Sequence, residues 1–272
     1  MANLKEVRVR IASVSSTQQI TKAMKMVSAA KLRRAQDAIL QMRPFAAKLR
    51  EIIENVSSTL DSSTGGAYTI ARPVNRVLIV AVNSNRGLCG AFNSNIIRTT
   101  RRIIEENYSK QAAEGNVKVL TIGKKASDYF SKIKNQHYNR YDHLYANLTF
   151  ETVSEVAEQI MKEFKEGNFD KVELVYNQFK NAAVQYVIHE PMLPIQSASK
   201  ETVSKRTNDY IFEPDKERMM AELLPKSIKI QLYKAVLDSH ASEHGARMTS
   251  MNKATDNAGD RKSTRLNSSH RT

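Results

Sequence analysis

No stretch of the chain approaches the roughly 18–20 apolar residues that a membrane-spanning helix needs; the longest strongly hydrophobic run is Val77–Val82. A single cysteine, Cys89, excludes an intramolecular disulfide, so nothing in the fold depends on an oxidising compartment. The first thirty residues lack the basic, apolar, small-residue order of a secretory leader. Acid is scarce at the start, where residues 1–36 contain only Glu6. An amphipathic transit peptide would share that scarcity, but the apolar rhythm of the segment continues unbroken beyond it, as a structural helix would. Aromatic residues are missing between Met1 and Arg43, and no repeat of 20–50 residues is visible.

What is present is positive charge and length. The 272 residues carry 42 basic and 28 acidic side chains, a net +14, with 41% apolar residues to build a core. Residues 1–56 hold eleven basic and four acidic side chains, and the last twelve add four more bases and no acid. Such an excess fits a solvated helix face, or an acidic partner such as nucleic acid, an anionic membrane or acidic protein loops; charge alone does not choose. A nucleic-acid collar built from Lys22, Lys25, Lys31, Arg33 and Arg34 would be helped by interleaved aromatics, and there are none.

Apolar or small residues fall at Ile20, Met24, Val27, Ala35, Ala38, Met42, Phe45, Leu49, Ile52 and Val56, stepping by threes and fours around a polar Lys31. Leu4, Val7, Ile11 and Val14 begin the same rhythm before a polar patch at Ser15–Gln19. This is the seam of a coiled coil, on a helix about 75 Å long that needs a partner. Pro44 predicts a kink near Met42. The partner is expected at the other end, where Leu237, Ala241, His244, Met248, Met251, Thr255 and Ala258 repeat the alternation. An antiparallel pair within one chain is the simplest arrangement, and a homodimeric coiled coil is the alternative. Pro225 is expected to open the main C-terminal helix, after a shorter helical segment started by Glu213-Pro214-Asp215.

Between the helices the texture changes. A loop is expected from Ser57 to Arg72, then strands at 76–82, 117–121, 172–176 and 184–188, a short one near 138–144, and helices near 93–106, 126–132 and 153–166. That is an α/β fold with a Rossmann-like central domain, its last two strands joined by a turn at Lys180-Asn181. The reading divides the chain into an N-terminal coiled-coil helix (1–56), a central α/β domain (73–195), a C-terminal coiled-coil helix (209–260) and an atypical polar tail (261–272).

Asn83–Asn93 follows the first strand and precedes a helix, where a doubly wound sheet could bind phosphate. It has neither the three spaced glycines of a dinucleotide loop nor the Gly-Lys-Ser/Thr of a P-loop, so a packed strand-to-helix turn is expected, with Cys89 as a buried structural thiol. His240, Glu243 and His244 have the order His-x-x-Glu-His found in some zinc proteases. A third ligand and a pocket are unaccounted for, and the motif sits in the helical seam with Glu243 and Arg247 spaced as a helix pair.

Three segments, Ile20–Arg34, Arg86–Asn93 and Ala241–Asn257, closely resemble the gamma subunit of rotary F-type ATP synthases, and the resemblance covers about residues 1–260. It implies a central stalk of two helices inside a hexamer of alpha and beta subunits, with further contacts to an epsilon subunit and the membrane c-ring. It also implies no catalytic site, no cofactor, no nucleic acid, and a peripheral place on the cytoplasmic face of a bacterial inner membrane. By position, Met24, Lys25, Lys31, Arg33, Arg34, Glu243 and Arg247 match the region facing the beta subunits, and Tyr210 and Glu213 match the foot near the ring. A gamma subunit would continue as a helix for about twenty-five residues after Asp260. Here the run from Arg261 to Thr272 has one apolar residue, so it is expected not to extend the seam and reads as a foreign or frame-shifted tail.

Overall fold

The computed structural model describes residues 4–58, 68–133, 136–195 and 216–269. Tyr210, Glu213 and the expected helix start at Pro214 lie outside them. Among the described residues no helix is long and apolar enough to cross a membrane.

The five strands are β1 (Val77–Val82), β2 (Val117–Ile122), β3 (His137–Arg140), β4 (Lys171–Phe179) and β5 (Gln185–Leu193). They form one sheet in the order β3-β2-β1-β4-β5. The first four strands run parallel, and β5 returns antiparallel to β4 through a turn in which Asn181 Oδ1 accepts from the amides of Ala183 and Val184. β1 is central and buried at every position, which is why it reads as an uninterrupted apolar run. One face of the sheet is covered by α2 (Phe92–Asn107), α3 (Ser109–Ala113) and α4 (Lys124–Phe130). The other is covered by α5 (Phe150–Lys165), whose Thr149 makes a capping box with Thr152, and by the C-terminal helix.

The two long helices are α1 (Leu4–Ser58) and α6 (Lys216–Ser269). They pack antiparallel within the chain, not as a homodimeric coil: Thr255 donates to Thr21 at 2.8 Å, Lys25 bonds Asn252, and Arg43 bonds Asp238 at 2.7 Å. The α6 seam is the expected one, from Leu237 to Ala258. On α1 the seam differs. The residues turned toward α6 are Val7, Ile11, Val14, Gln18, Thr21, Lys25, Ser28, Leu32, Ala35, Ile39, Met42, Ala46, Leu49 and Ile53, one unbroken alternation of threes and fours. Met24, Val27 and Phe45, expected in the seam, are 37%, 57% and 51% exposed. The reason is a second stripe with the same spacing: Ile20, Met24, Val27 and Lys31 line up on the outside, while polar Thr21, Lys25 and Ser28 take the inside.

Neither proline breaks its helix. Pro44 is exposed, so the Leu40 carbonyl it cannot bond faces water. Pro225 lies inside a continuous α6 that starts at Lys216, in place of opening the main helix. The segment from Arg261 also stays helical to Ser269, although the last buried side chain of α6 among the described ones is Ala258. Helical backbone bonds need no apolar partner, whereas a seam does, so the helix outlasts the packing.

Candidate functional site

The residues singled out in sequence converge on one axial band, where α1 residues 24–34 lie beside α6 residues 241–255 and the loop after β1. α6 serves two surfaces there. Ser239 and Ser242 face the sheet, donating to the backbone of Val82 and Asn177, while Leu237 and Ala241 pack on Leu32, Ala35 and Ile39 of α1. Gly245 lets the helix approach closely: a Cβ there would meet Ala182 Cα at 3.2 Å and Phe179 at 3.3 Å.

Glu243 and Arg247 form an ion pair of 2.7 Å, with side chains only 9% and 11% exposed. Arg247 also donates to the carbonyl oxygens of Arg86, at 3.1 Å, and Gly87, at 3.3 Å. These two residues therefore hold the Asn83–Ala91 loop against the shaft. Burial pushes the Glu243 carboxyl above the usual carboxylate range, and Arg247 pulls it back.

The loop is fixed from within as well. Ser84 Oγ donates to the Arg86 carbonyl at 2.6 Å, Asn93 Oδ1 accepts from the Ser84 amide, and Asn93 Nδ2 approaches Cys89 Sγ at 3.2 Å. Cys89 is 1% exposed, and burial raises its thiol pKa. Leu88, between Gly87 and Cys89, holds a left-handed backbone at φ 64° while 61% exposed. A non-glycine residue keeps that conformation only where its surroundings impose it. Leu88 is a rigidly presented apolar tip that the sequence reading missed; the Gly-Leu-Cys-Gly pattern is the one signal that could have flagged it.

His240 and His244 meet edge to face behind this loop, their ring centroids 4.5 Å apart, with Tyr145 stacked on His240 at 5.6 Å. Burial lowers their pKa values to about 4 and about 3, helped by Lys31 and Arg247. Arginine can only donate, so the 3.3 Å contact from Arg247 makes His244 Nδ1 an acceptor and puts its proton on Nε2. Glu243 is committed to Arg247, and no group of three His, Cys, Asp or Glu among the described residues could hold a metal. The zinc-protease order of these residues is thus a consequence of helix packing.

Of the remaining residues, Lys31, Arg33 and Arg34 are exposed, as is Met24, while Lys25 is half-buried and tied to Asn252. With Ile20 at 59% and Val27 at 57% exposure, α1 presents an apolar stripe with a basic margin, facing away from α6. An apolar strip of this kind on an otherwise charged helix marks an interaction surface.

Comparison with known proteins bears on the family and the fold. A family model described as ATP synthase matches residues 3–270. The ATP synthase gamma chain of Flavobacterium johnsoniae is 55% identical over 258 residues, 95% of this chain and 88% of that one. That of Christiangramia forsetii is 52% identical with the same coverage. The central stalk of the Tetrahymena thermophila mitochondrial ATP synthase superimposes with a TM-score of 0.65 at 26% identity, covering 86% of this chain and 99% of that chain. A rotor chain of the Euglena gracilis enzyme shares the fold at a TM-score of 0.70 and 19% identity, over 98% and 96% of the two chains. Sequence, fold and the arrangement of the two helices against the α/β domain together place this chain in the ATP synthase gamma-chain family.

Proposed function

We propose that this chain is the rotor shaft of a proton-translocating F-type ATP synthase, carrying torque between a membrane c-ring and a catalytic hexamer of alpha and beta subunits. The observation that carries the reading is the outward apolar stripe of Ile20, Met24 and Val27, continued by Lys31 and Arg34, on a shaft whose inner positions beside the apolar part, Thr21, Lys25 and Ser28, are polar. A helix that only needed α6 would place its apolar residues inward. These do the opposite, so a second partner covers them.

Met24, Lys25, Lys31, Arg33 and Arg34 then face the beta subunits, where their positive charge suits acidic loops. Glu243 and Arg247 act on the same partner through the loop they hold, with Leu88 as its apolar tip. Tyr210 and Glu213 belong to the foot on the membrane ring, near an epsilon subunit. Catalysis belongs to the hexamer: the chain uses its polar cluster for packing, needs no cofactor, and is peripheral to the cytoplasmic face of a bacterial inner membrane.

Co-expression with alpha and beta subunits from a related bacterium, followed by purification through beta, tests this. One copy per hexamer and stimulated ATP hydrolysis are expected, with both lost in Ile20→Asp/Val27→Asp. Failure of the natural chain to co-purify would overturn the reading.

A further inference from the structure

Helix α2 buries Phe92, Ile96, Thr100, Ile103 and Ile104 against the sheet. Its outer face lies on the side of the sheet away from the shaft, so no rotor contact described above uses it. Spacing of three and four brings Ser94, Ile97, Arg98, Arg101, Arg102 and Glu105 onto this face, and with Tyr129 of α4 they line a depression of about 550 Å³. Arg101 is engaged by Glu105 at 2.9 Å and by the Tyr129 hydroxyl at 3.3 Å. Arg98 and Arg102, one turn apart, are exposed and have no hydrogen bond or ion pair among the described residues. Tyr129 is half-buried, lines the depression, and meets Phe130 edge to face with 5.2 Å between ring centroids.

From this arrangement we propose a binding site for a nucleotide: Arg98 and Arg102 take the phosphate oxygens and the Tyr129 ring stacks on the base. Guanidinium groups match phosphate oxygens in pairs of hydrogen bonds, and the depression has the volume of a small-molecule site. The Glu105 carboxylate on the same wall is neutralised by Arg101, leaving the other two arginines to set the sign. An aromatic wall beside paired cations distinguishes this face from a merely solvated one.

The test is calorimetric titration of the isolated full chain with ADP and with pyrophosphate, alongside sedimentation with phosphatidylglycerol vesicles. Both soluble ligands should bind with one site per chain. Arg98→Gln/Arg102→Gln, on exposed positions and checked for helicity by circular dichroism, should weaken both at least about tenfold. Tyr129→Ala should weaken ADP about fivefold or more and leave pyrophosphate unchanged. The proposal is overturned if neither soluble ligand binds, if the double variant binds them as the natural chain does, or if only the vesicles are captured.

Discussion

At the scale of single residues, the tightest constraint is Gly123, between β2 and α4. Its φ is 110°, and a Cβ there would lie 2.3 Å from the Asn83 carbonyl oxygen, which is backbone and cannot swing away. Gly123→Ala should cost at least about 2–3 kcal/mol, read from chemical denaturation. The buried histidines give a pH dependence whose sign is fixed by their depressed pKa values, about 4 for His240 and about 3 for His244. The folded state keeps both neutral, while the unfolded chain takes up protons below its ordinary value near 6.5. Stability is therefore full above about pH 6.5 and falls as pH drops toward 4 and below, by up to about 1.4 kcal/mol per unit for each histidine. Lys31 and Arg247 face the pair and oppose its protonation; Glu243, with its raised pKa, changes stability in the opposite sense and trims the loss. Thermal unfolding of His240→Gln/His244→Gln should show a flatter profile between pH 6.5 and 4.5 than the natural chain; an equally steep one would assign the acid sensitivity elsewhere.

At the scale of elements, two stripes on α1 share a spacing and differ in fate. Leu32 is 5% exposed against Ala35 and Leu237, and Leu32→Ala should cost about 2–4 kcal/mol. Val27→Ala, outside the seam, should change stability by less than about 0.5 kcal/mol while weakening assembly with the hexamer. Finding both substitutions equally destabilising would mean that the stripes have been exchanged. This pair also marks the limit of what the residues disclosed. Helix type and the partner seam on α6 were legible because one-sided burial imposes a helical period, and the central strands because full burial makes β1 and its neighbours nearly continuous apolar runs. The register of α1 was not. Thr21, Lys25 and Ser28 satisfy themselves across the seam with Thr255, Asn252 and close packing, so an inward face looks like surface, while Ile20, Met24 and Val27 imitate a core. Likewise the i, i+4 pairing of Glu243 and Arg247 was visible, and the resemblance alone marked them as contact residues, whereas the loop carbonyls that Arg247 holds lie 160 and 161 residues away in sequence.

At the scale of the whole molecule, α6 belongs to shaft and sheet at once: Ile228, Leu232 and Val236 enter the core of the α/β domain, and Leu237 and Ala241 meet α1. Arg43 joins all three parts, donating to Asp238 at 2.7 Å and to the Phe179 carbonyl at 2.8 Å. Asp238 is fully buried, so Arg43→Met should cost about 3 kcal/mol by leaving that carboxylate unpaired, and Arg43→Met/Asp238→Asn should recover much of it. Denaturation midpoints of the two variants check this; equal losses would show that the pair carries no mutual term. The antiparallel pairing has a kinetic side too. Thr21 waits for a partner 234 residues later in the chain, a delay of roughly 10–50 s at ordinary rates of synthesis. Throughout that interval α1 has neither its inner nor its outer surface covered, while the sheet between can already close. The first segment made is thus the last to find its place, and the nascent chain is most open to aggregation at the end by which the finished shaft enters its partners.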